Sequence, residues 1–224
     1  MRILVLVWSL GPLLWQLLTS FLSPEALVGN LESAMGQWTF ENYRTVLSGD
    51  PPFWRYLLNS TIVGALTTAL TLILAIPCAY GLQRQGGVLR IGVTLTFLGA
   101  ALFPTVLLFL ALLEVARALG LANSLIALSF PYAALSLPLA VLLLRAAFAD
   151  LPQELEDAAC LEGLNLPQRL RFVLLPLMAP AIASTSILVF LLSWNEYPIA
   201  LTWISRSDLL TLPTAIARIS SSSI

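Results

Sequence analysis

Long apolar runs alternate with short polar segments along most of this chain. Five runs, at 3–22, 56–82, 91–113, 124–144 and 177–194, approach or exceed the length of a bilayer-crossing helix. About 20 apolar residues in a helix, at about 1.5 Å each, span the hydrocarbon core. Prolines inside the third and fourth runs are tolerated where neighbouring helices satisfy the freed backbone groups. The pattern predicts an all-α, polytopic transmembrane helical bundle with five visible spans.

The first run and the segment after it each leave two interpretations open. A cleaved signal peptide has an apolar core of about 7–15 residues and small residues at its cleavage site. Here the run is longer and ends Thr-Ser-Phe-Leu-Ser-Pro, so we interpret it as an uncleaved first span. Residues 23–55 mix charges with recurring aromatics, which are typical of a membrane interface. They form either an extracytoplasmic loop with short helices or a simple interfacial tether, and we divide the chain into 1–53 and a core at 54–224.

The longest polar segment inside the apolar part of the chain is 150–180, which has the signals of two short helices. Asp150 and Pro152 are suited to begin the first helix, and Gly163 is suited to end it in a left-handed conformation. Asn165 and Pro167 are suited to begin the second helix, which should end near Leu175-Pro176. Four mostly small residues share one face of the first helix by their spacing: Leu155, Ala158, Ala159 and Glu162.

The loop resembles the EAA loop of ABC importer permeases, which reads Glu-Ala-Ala, three residues, Gly, nine residues, Ile-x-Leu-Pro. Here Asp157-Ala158-Ala159, Gly163 and Val173-Leu174-Leu175-Pro176 keep both spacings. Asp157 replaces Glu and Val173 replaces Ile. The wider context, from about Trp54 to Pro213, is most similar to the maltose-type sugar permeases. The alternative is an ordinary amphipathic hairpin in the cytoplasm.

The resemblance implies a type I ABC importer permease fold with six spans, so the sixth is expected to be missing from the 224 residues. It implies a multi-pass protein of the bacterial inner membrane, surrounded by lipid. Its implied partners are ABC ATPase subunits, a second homologous permease and an extracytoplasmic binding protein. The loop at 150–176 would be the cytoplasmic coupling helix that docks in the ATPase. The residues implied in coupling are Glu154, Asp157, Ala158, Ala159, Gly163, Leu175 and Pro176.

Composition supports a membrane protein and excludes several kinds of chemistry. The chain is 58% hydrophobic and 10% charged, with a mean hydropathy of +0.90, whereas soluble domains carry about 25% charged residues. It has neither Lys nor His, and its net charge of −1 does not suggest nucleic acid as a partner. Without a Gly-x-x-x-x-Gly-Lys phosphate loop, ATP hydrolysis is expected from another subunit. No cofactor or metal is predicted, and Cys78 and Cys160 do not form a disulfide framework.

A candidate substrate path lies at the end of the fifth span. Glu196 stands within Ser-Trp-Asn-Glu-Tyr, and an acid at a span end costs less than one at the membrane centre. Asn195 and Glu196 offer a polar patch, and Trp194 and Tyr197 offer faces on which a sugar could stack. Asn59 in the second run is a weaker candidate, because small polar residues often only join helices. The alternative for Glu196 is an interfacial acid with aromatic anchors.

We therefore predict the permease subunit of an ATP-driven importer, with a carbohydrate as the expected substrate, that is not itself an enzyme. A secondary transporter or channel is the main alternative, but it would favour charges deep in several spans. A membrane-embedded enzyme would need catalytic or metal-ligating clusters, which the spans lack. Arginines divide six to five between the two predicted sides, so orientation depends on the resemblance rather than on the positive-inside rule.

Overall fold

The structure is a computed structural model that describes residues 1–23, 38–104 and 107–222. Two compact units, Met1–Arg55 and Tyr56–Ile224, divide the chain and are described separately. The helices are α1 Arg2–Thr19, α2 Glu41–Leu47, α3 Phe53–Arg84, α4 Gly87–Ala101, α5 Phe109–Ala118, α6 Leu125–Ala149, α7 Gln153–Leu161, α8 Leu166–Leu177, α9 Ala179–Trp194, α10 Pro198–Trp203 and α11 Leu212–Ser222. Within the described residues the only extended pairing is one bridge, Leu22 to Trp38, which confirms the all-α prediction.

Two of the described helices are long and apolar enough to cross a bilayer unaided. They are α3, with 32 residues, and α6, with 25 residues. A third candidate is the pair α8 and α9, which meet at a bend of 80°. The predicted run 56–82 therefore lies within α3, α6 covers the run 124–144 except for its N-cap Ser124, and α9 covers most of 177–194.

The third predicted span is not one continuous helix. α4 has 15 residues and ends at Ala101, three residues before Pro104. A proline offers no N–H and keeps the residue before it out of the helical region, so the helix ends ahead of it. α5 then runs to Ala118, and the first part of the predicted polar connector, from Glu114, is helical. Residues 105 and 106 of the predicted span lie outside the described part of the chain.

The core of the larger unit is built where α3, α6, α8 and α9 meet. Small side chains, among them Ala75, Ala79 and Ala140, are fully buried there and let the helix backbones approach. Larger buried residues fill the remaining space: Leu82, Val141, Leu144, Phe148, Leu174, Met178 and Val189. Gly64 of α3 serves the same purpose, because a Cβ there would lie 2.7 Å from the ring of Phe190 in α9.

The larger unit has two ends, a loop end and a far end. The loop end holds the C-termini of α3 and α6 together with α7 and the start of α8. The far end holds the N-termini of α3 and α6, the C-terminus of α9, α10 and the turn Ser207–Leu209. At the far end, the Asn123 side chain accepts hydrogen bonds from the backbone N–H groups of Ser205 and Arg206, 2.7 and 3.1 Å away.

In the smaller unit, a polar and aromatic cluster joins α1 to α2. The Asn42 amide donates to the carbonyls of Ser20 and Leu22 at 3.0 and 2.8 Å. The Phe21 ring contacts Tyr43 at 5.2 Å between centroids. α2 confirms the expectation of a short helix in the predicted loop, but residues 24–37 of that loop lie outside the described residues.

Candidate functional site

The first loop helix, α7, begins differently from the prediction. Its N-cap is Pro152, with ψ of 132°, and Asp150 instead ends α6, where its N–H donates to Ala146. Asp150 therefore does not cap α7, and the structure corrects that part of the prediction. The physical reason is that the extended Pro152 separates the two helices, so the acid stays with the helix before it.

The C-terminus of α7 is closed by Gly163 as predicted. Gly163 has φ of +82°, and its N–H donates to Cys160 at 3.0 Å. The Leu164 N–H donates to Ala159 at 3.1 Å, which completes the paired hydrogen bonds of a Schellman motif. Only glycine adopts this φ without steric cost, and nothing else lies within 4 Å of the place a Cβ would occupy.

The second loop helix, α8, begins with a capping box. The Asn165 side chain accepts from the Gln168 N–H at 3.1 Å, and the Gln168 side chain accepts from the Asn165 N–H at 2.9 Å. Pro167 follows in the first turn, as the sequence predicts. Gln168 was not recognised from the sequence as part of this cap, although it stands three residues after Asn165.

α8 ends at Leu177, one residue after the predicted Leu175-Pro176, before the 80° bend into α9. Its middle, Leu170–Leu174, is a π-helical turn. Pro176 lacks the N–H that the Phe172 carbonyl would otherwise accept, so the regular hydrogen-bond ladder cannot continue there. Leu175 is half-buried and Pro176 is exposed. These two predicted coupling residues thus lie where the loop turns back into the bundle.

Burial divides α7 into an outward and an inward side. Glu154, Leu155, Asp157, Ala158, Leu161 and Glu162 are exposed. Leu161 is 91% exposed although it is apolar. Ala159, by contrast, is 5% exposed and faces the chain's own interior. The predicted face of Leu155, Ala158, Ala159 and Glu162 is therefore divided between the two sides. Packing within this chain, rather than a docked partner, leaves no space for a larger side chain at Ala159.

The inward side of α7 carries an acid that sequence analysis missed. The Glu156 side chain is 8% exposed and accepts a hydrogen bond from the Tyr80 hydroxyl. It forms ion pairs with Arg84 and with Arg169, the latter at 3.4 Å. Tyr80 and Arg84 are four residues apart on α3, a spacing that places them on one face and could have signalled the site.

A second acid, Glu196, lies at the far end and was predicted. It accepts a hydrogen bond from the Tyr132 hydroxyl of α6. It also accepts from the backbone N–H groups of Ile199 and Ala200, at 2.9 and 3.1 Å, and so closes the first turn of α10. Among the described residues no arginine lies within ion-pair distance of Glu196.

Glu196 lines a cavity of about 270 Å³ to which both α6 and α9 contribute. Three of its lining residues besides Glu196 carry hydroxyl groups, namely Tyr132, Ser136 and Ser193. The rest of the lining is apolar: Ala101, Leu135, Leu139, Leu192 and Ile199. A mostly apolar pocket with a few converging polar groups is the usual form of a small-molecule site.

The other predicted path residues do not line this cavity. The buried Asn59 amide donates to the carbonyls of Asp208 and Leu210, at 3.1 and 2.9 Å, and so joins α3 to the segment before α11. The Asn195 amide donates to Leu191 at 2.8 Å within α9. The Trp194 ring contacts the Phe190 ring, with 5.4 Å between centroids, and the Tyr197 side chain is exposed. The structure thus brings Glu196, but none of the other predicted path residues, to the lining of this cavity.

In residues 1–23, 38–104 and 107–222, no three acidic or cysteine side chains converge as metal ligands. At the exposed far end Arg206 pairs with Asp208 at 2.7 Å, and this hydrogen bond and charge raise the pKa of Arg206.

Residues 4–223 match a family described as "Binding-protein-dependent transport system inner membrane component". The chain is 35% identical over 223 residues to the trehalose transport system permease protein SugB of Mycobacterium tuberculosis, with 98% of this chain and 80% of that protein covered. It is 35% identical to the trehalose/maltose transport system permease protein MalG of Thermococcus litoralis, covering 96% of this chain and 77% of that one.

Two further comparisons extend this similarity. The sulfoquinovosyl glycerol transport system permease protein SmoH of Agrobacterium fabrum is 36% identical, with 95% of this chain and 75% of SmoH covered. In structure, the chain resembles a protein of a bacterial ABC transporter that imports the acidic polysaccharide alginate. That match has a TM-score of 0.79 at 22% identity and covers 99% of this chain and 77% of the other.

Proposed function

The chain belongs to the family of binding-protein-dependent transport system inner membrane components, and from that premise we propose the class of its substrate, the surfaces that contact its partner subunits and the membrane in which it lies. It is a permease subunit of an ABC importer, with the type I fold, and it acts with an ATPase and a binding protein.

The proposed substrate is a carbohydrate. Relatives over most of the chain are permeases for trehalose, maltose or sulfoquinovosyl glycerol. The cavity at Glu196 has a suitable chemistry, because its carboxylate and the hydroxyls of Ser136 and Ser193 can exchange hydrogen bonds with sugar hydroxyls. Trp194 and Tyr197 stand nearby with aromatic faces for stacking. We place Glu196 on the path itself, whereas Asn59 serves as a support that holds α3 to the segment before α11.

The proposed docking element is the outward side of α7. The observation that carries this proposal is the exposure of its apolar residues at the loop end, with Leu161 91% exposed, on a helix that Gly163 ends in a left-handed conformation. An exposed apolar patch rimmed by Glu154, Asp157 and other acids is typical of a protein-binding surface. The ATPase would receive this side of the helix and would carry out ATP hydrolysis, since this chain would not.

Two further partnerships complete the proposal. A second, homologous permease would cover part of the apolar surface of the bundle, and membrane lipid would cover the rest. Exposed apolar side chains on α4, such as Val88, Ile91 and Leu95, provide such a surface. The location would be the inner membrane of a bacterial cell, with the loop end in the cytoplasm.

The proposal is tested by assembling the importer and changing the outward side of α7. Ala158→Glu places a bulky acid on that side, where the Ala158 side chain is exposed. The ATPase should then be lost or weakened in co-purification, while the permease still inserts. Ala159→Glu is unsuitable for this purpose, because it would bury a charge inside this chain.

The control is Arg171→Gln, which changes an exposed residue of the same loop. It should retain the ATPase and carbohydrate uptake. ATP-dependent uptake of trehalose or maltose by the assembled wild type is the expected result. Uptake that needs no ATPase would favour a secondary transporter and would contradict the proposal.

A further inference from the structure

At the loop end, donors from two other helices meet on a single buried carboxylate. Glu156 of α7 is contacted by the Tyr80 hydroxyl and the Arg84 guanidinium, both from α3. Arg169 of α8 approaches the same carboxylate at 3.4 Å. One side chain thus connects the three segments, and charge-assisted hydrogen bonds of this kind are stronger than neutral ones.

The cluster continues from α3 to α6. The Arg84 guanidinium lies over the ring of Tyr80, 5.5 Å from its centre. The Tyr80 ring in turn packs edge-on against buried Phe148 of α6, at 5.6 Å between centroids. A displacement of Glu156 therefore acts on residues that are packed against the core of the bundle.

The carboxylate is the polar side chain that attaches α7 to α3, and Cys160 of α7 accepts a further hydrogen bond from Arg169 of α8 at 3.1 Å. Of the nine residues of α7, only Glu156 and Ala159 are buried. A methyl group gives little apolar contact area, so the helix depends on the ion pairs for its hold on α3. α8 is held differently, because Leu170 and Val173 pack against the apolar core and Leu174 belongs to it.

α3 offers a direct connection from this cluster to the far end. It is an unbroken helix from Phe53 to Arg84, and it passes through Pro77 without interruption. Asn59, 25 residues before Arg84, is bonded to the backbone of Asp208 and Leu210. At about 1.5 Å per residue, these two attachments lie roughly 38 Å apart on one rigid element.

We propose that Glu156 is a positioning residue that joins α7 to α3, so that a displacement of α7 by the ATPase moves α3 as well. This inference rests on the proposed function, in which the ATPase docks on the outward side of α7. The docking surface and the Glu156 contacts are separate, because Glu156 lies on the inward side of α7. Loss of the Glu156 contacts to α3 should therefore uncouple ATP hydrolysis from transport and leave the ATPase bound.

The test uses the assembled importer, with its ATPase and binding protein, in proteoliposomes. Glu156→Gln removes the charge but keeps the shape, and Tyr80→Phe removes one hydrogen bond but keeps every charge. Transport per ATP should fall about tenfold for Glu156→Gln and about fivefold for Tyr80→Phe, within the range of coupling between sites. Both complexes should retain the ATPase in wild-type amount.

A matched pair of arginines provides the control. Arg169→Gln removes an arginine of the cluster and should also lower transport per ATP. Arg171→Gln removes an exposed arginine whose guanidinium lies over the neighbouring Phe172 ring, and should leave that ratio unchanged.

Three results would overturn the inference. Wild-type transport per ATP in Tyr80→Phe and Glu156→Gln would show that the cluster does not link the two processes. Loss of the ATPase from Tyr80→Phe would make the cluster part of the docking surface. Lower stability with an unchanged ratio in the complexes that assemble would make it a structural support only. If the ATPase did not assemble even with the wild-type permease, the proposed function itself would be overturned. That failure is distinguishable because it appears in the wild type and not only in the variants.

Discussion

The two ends of the bundle each hold a carboxylate that accepts a hydrogen bond from a tyrosine, yet their surroundings differ. Glu156 at the loop end meets Tyr80 and two arginines. Glu196 at the far end meets Tyr132 and two backbone N–H groups, and it borders a cavity of about 270 Å³. The first acid is neutralised by its partners, whereas among the described residues the second has only neutral donors.

This difference indicates different uses for the same kind of side chain. A carboxylate paired with arginines has little electrostatic attraction left for a ligand, so it serves to join helices. A carboxylate with neutral partners keeps its charge and can bind a ligand that enters the cavity. On these grounds we propose that the loop end transmits motion between helices and that the far end contacts the substrate.

The largest expected effect is on stability at the loop end. Glu156→Ala leaves Arg84 and Arg169 without their counter-charge and should cost about 3 kcal/mol, the lower part of the usual range because Arg84 stays partly in water. Glu196→Ala should cost only about 1 kcal/mol, the typical loss of a helix cap. Unfolding of both purified variants in mixed micelles measures the difference. Equal losses, or a larger loss for Glu196→Ala, would contradict the comparison.

At the far end the expected effect is on transport rather than on stability. Glu196→Gln keeps the shape of the side chain but removes its charge, and loss of a charged hydrogen bond to a sugar should lower uptake about tenfold. Assembly with the ATPase should stay normal. Glu114→Gln, an exposed acid on α5, is the control and should transport normally. Unchanged uptake in Glu196→Gln would remove this residue from the proposed path.

At the loop end, backbone conformation makes a smaller contribution. Gly163→Ala meets no neighbouring atom but forces a side chain into a left-handed conformation, which should cost about 1 kcal/mol. Gly92→Ala also adds a methyl group with nothing within 4 Å, but it lies inside α4, outside the left-handed region, where alanine favours the helix. Thermal unfolding of the two variants compares them directly, and equal midpoints would refute the assigned role of Gly163.

The smallest expected effect lies between the two ends. Gly64→Ala brings a methyl group within 2.7 Å of the Phe190 ring, whereas Gly81→Ala on the same helix meets nothing within 4 Å. Each variant gains about 1 kcal/mol of helix propensity, but overpacking should offset it at Gly64 and leave a net loss of roughly 0.5–1 kcal/mol. Thermal unfolding of the two variants measures the difference. A stabilised Gly64→Ala would show that this contact does not hold α3 against α9.

Sequence patterns predicted the parts of the molecule that depend on local rules. Apolar length predicted α3 and α6, and turn chemistry predicted the left-handed Gly163 and the start of α8 at Asn165. The proline of the third run was expected to be tolerated within one span, but α4 ends at Ala101, ahead of Pro104. Local patterns also placed Asp150 in the wrong helix, because a cap depends on where the preceding helix ends.

Contacts between distant segments could not be predicted in the same way. Glu156 looked like one of several acids in an early helical turn, and only the fold brings Tyr80, 76 residues away in sequence, to its carboxylate. Asn59 looked like a residue of the transport path, but its partners are backbone carbonyls about 150 residues later. Ala159 looked like part of a docking face until the fold buried it.

Site-directed cross-linking tests the central claim that the loop end, and not the far end, receives the ATPase. Cys78 and Cys160 are first replaced by serine, and one cysteine is then introduced at Leu161 or at Ser205, both exposed. Leu161→Cys should cross-link to the ATPase in the assembled importer, and substitution by Ala158→Glu should abolish the product. Ser205→Cys should give no cross-link to the ATPase. A cross-link from Ser205→Cys, with none from Leu161→Cys, would contradict this assignment of the two ends.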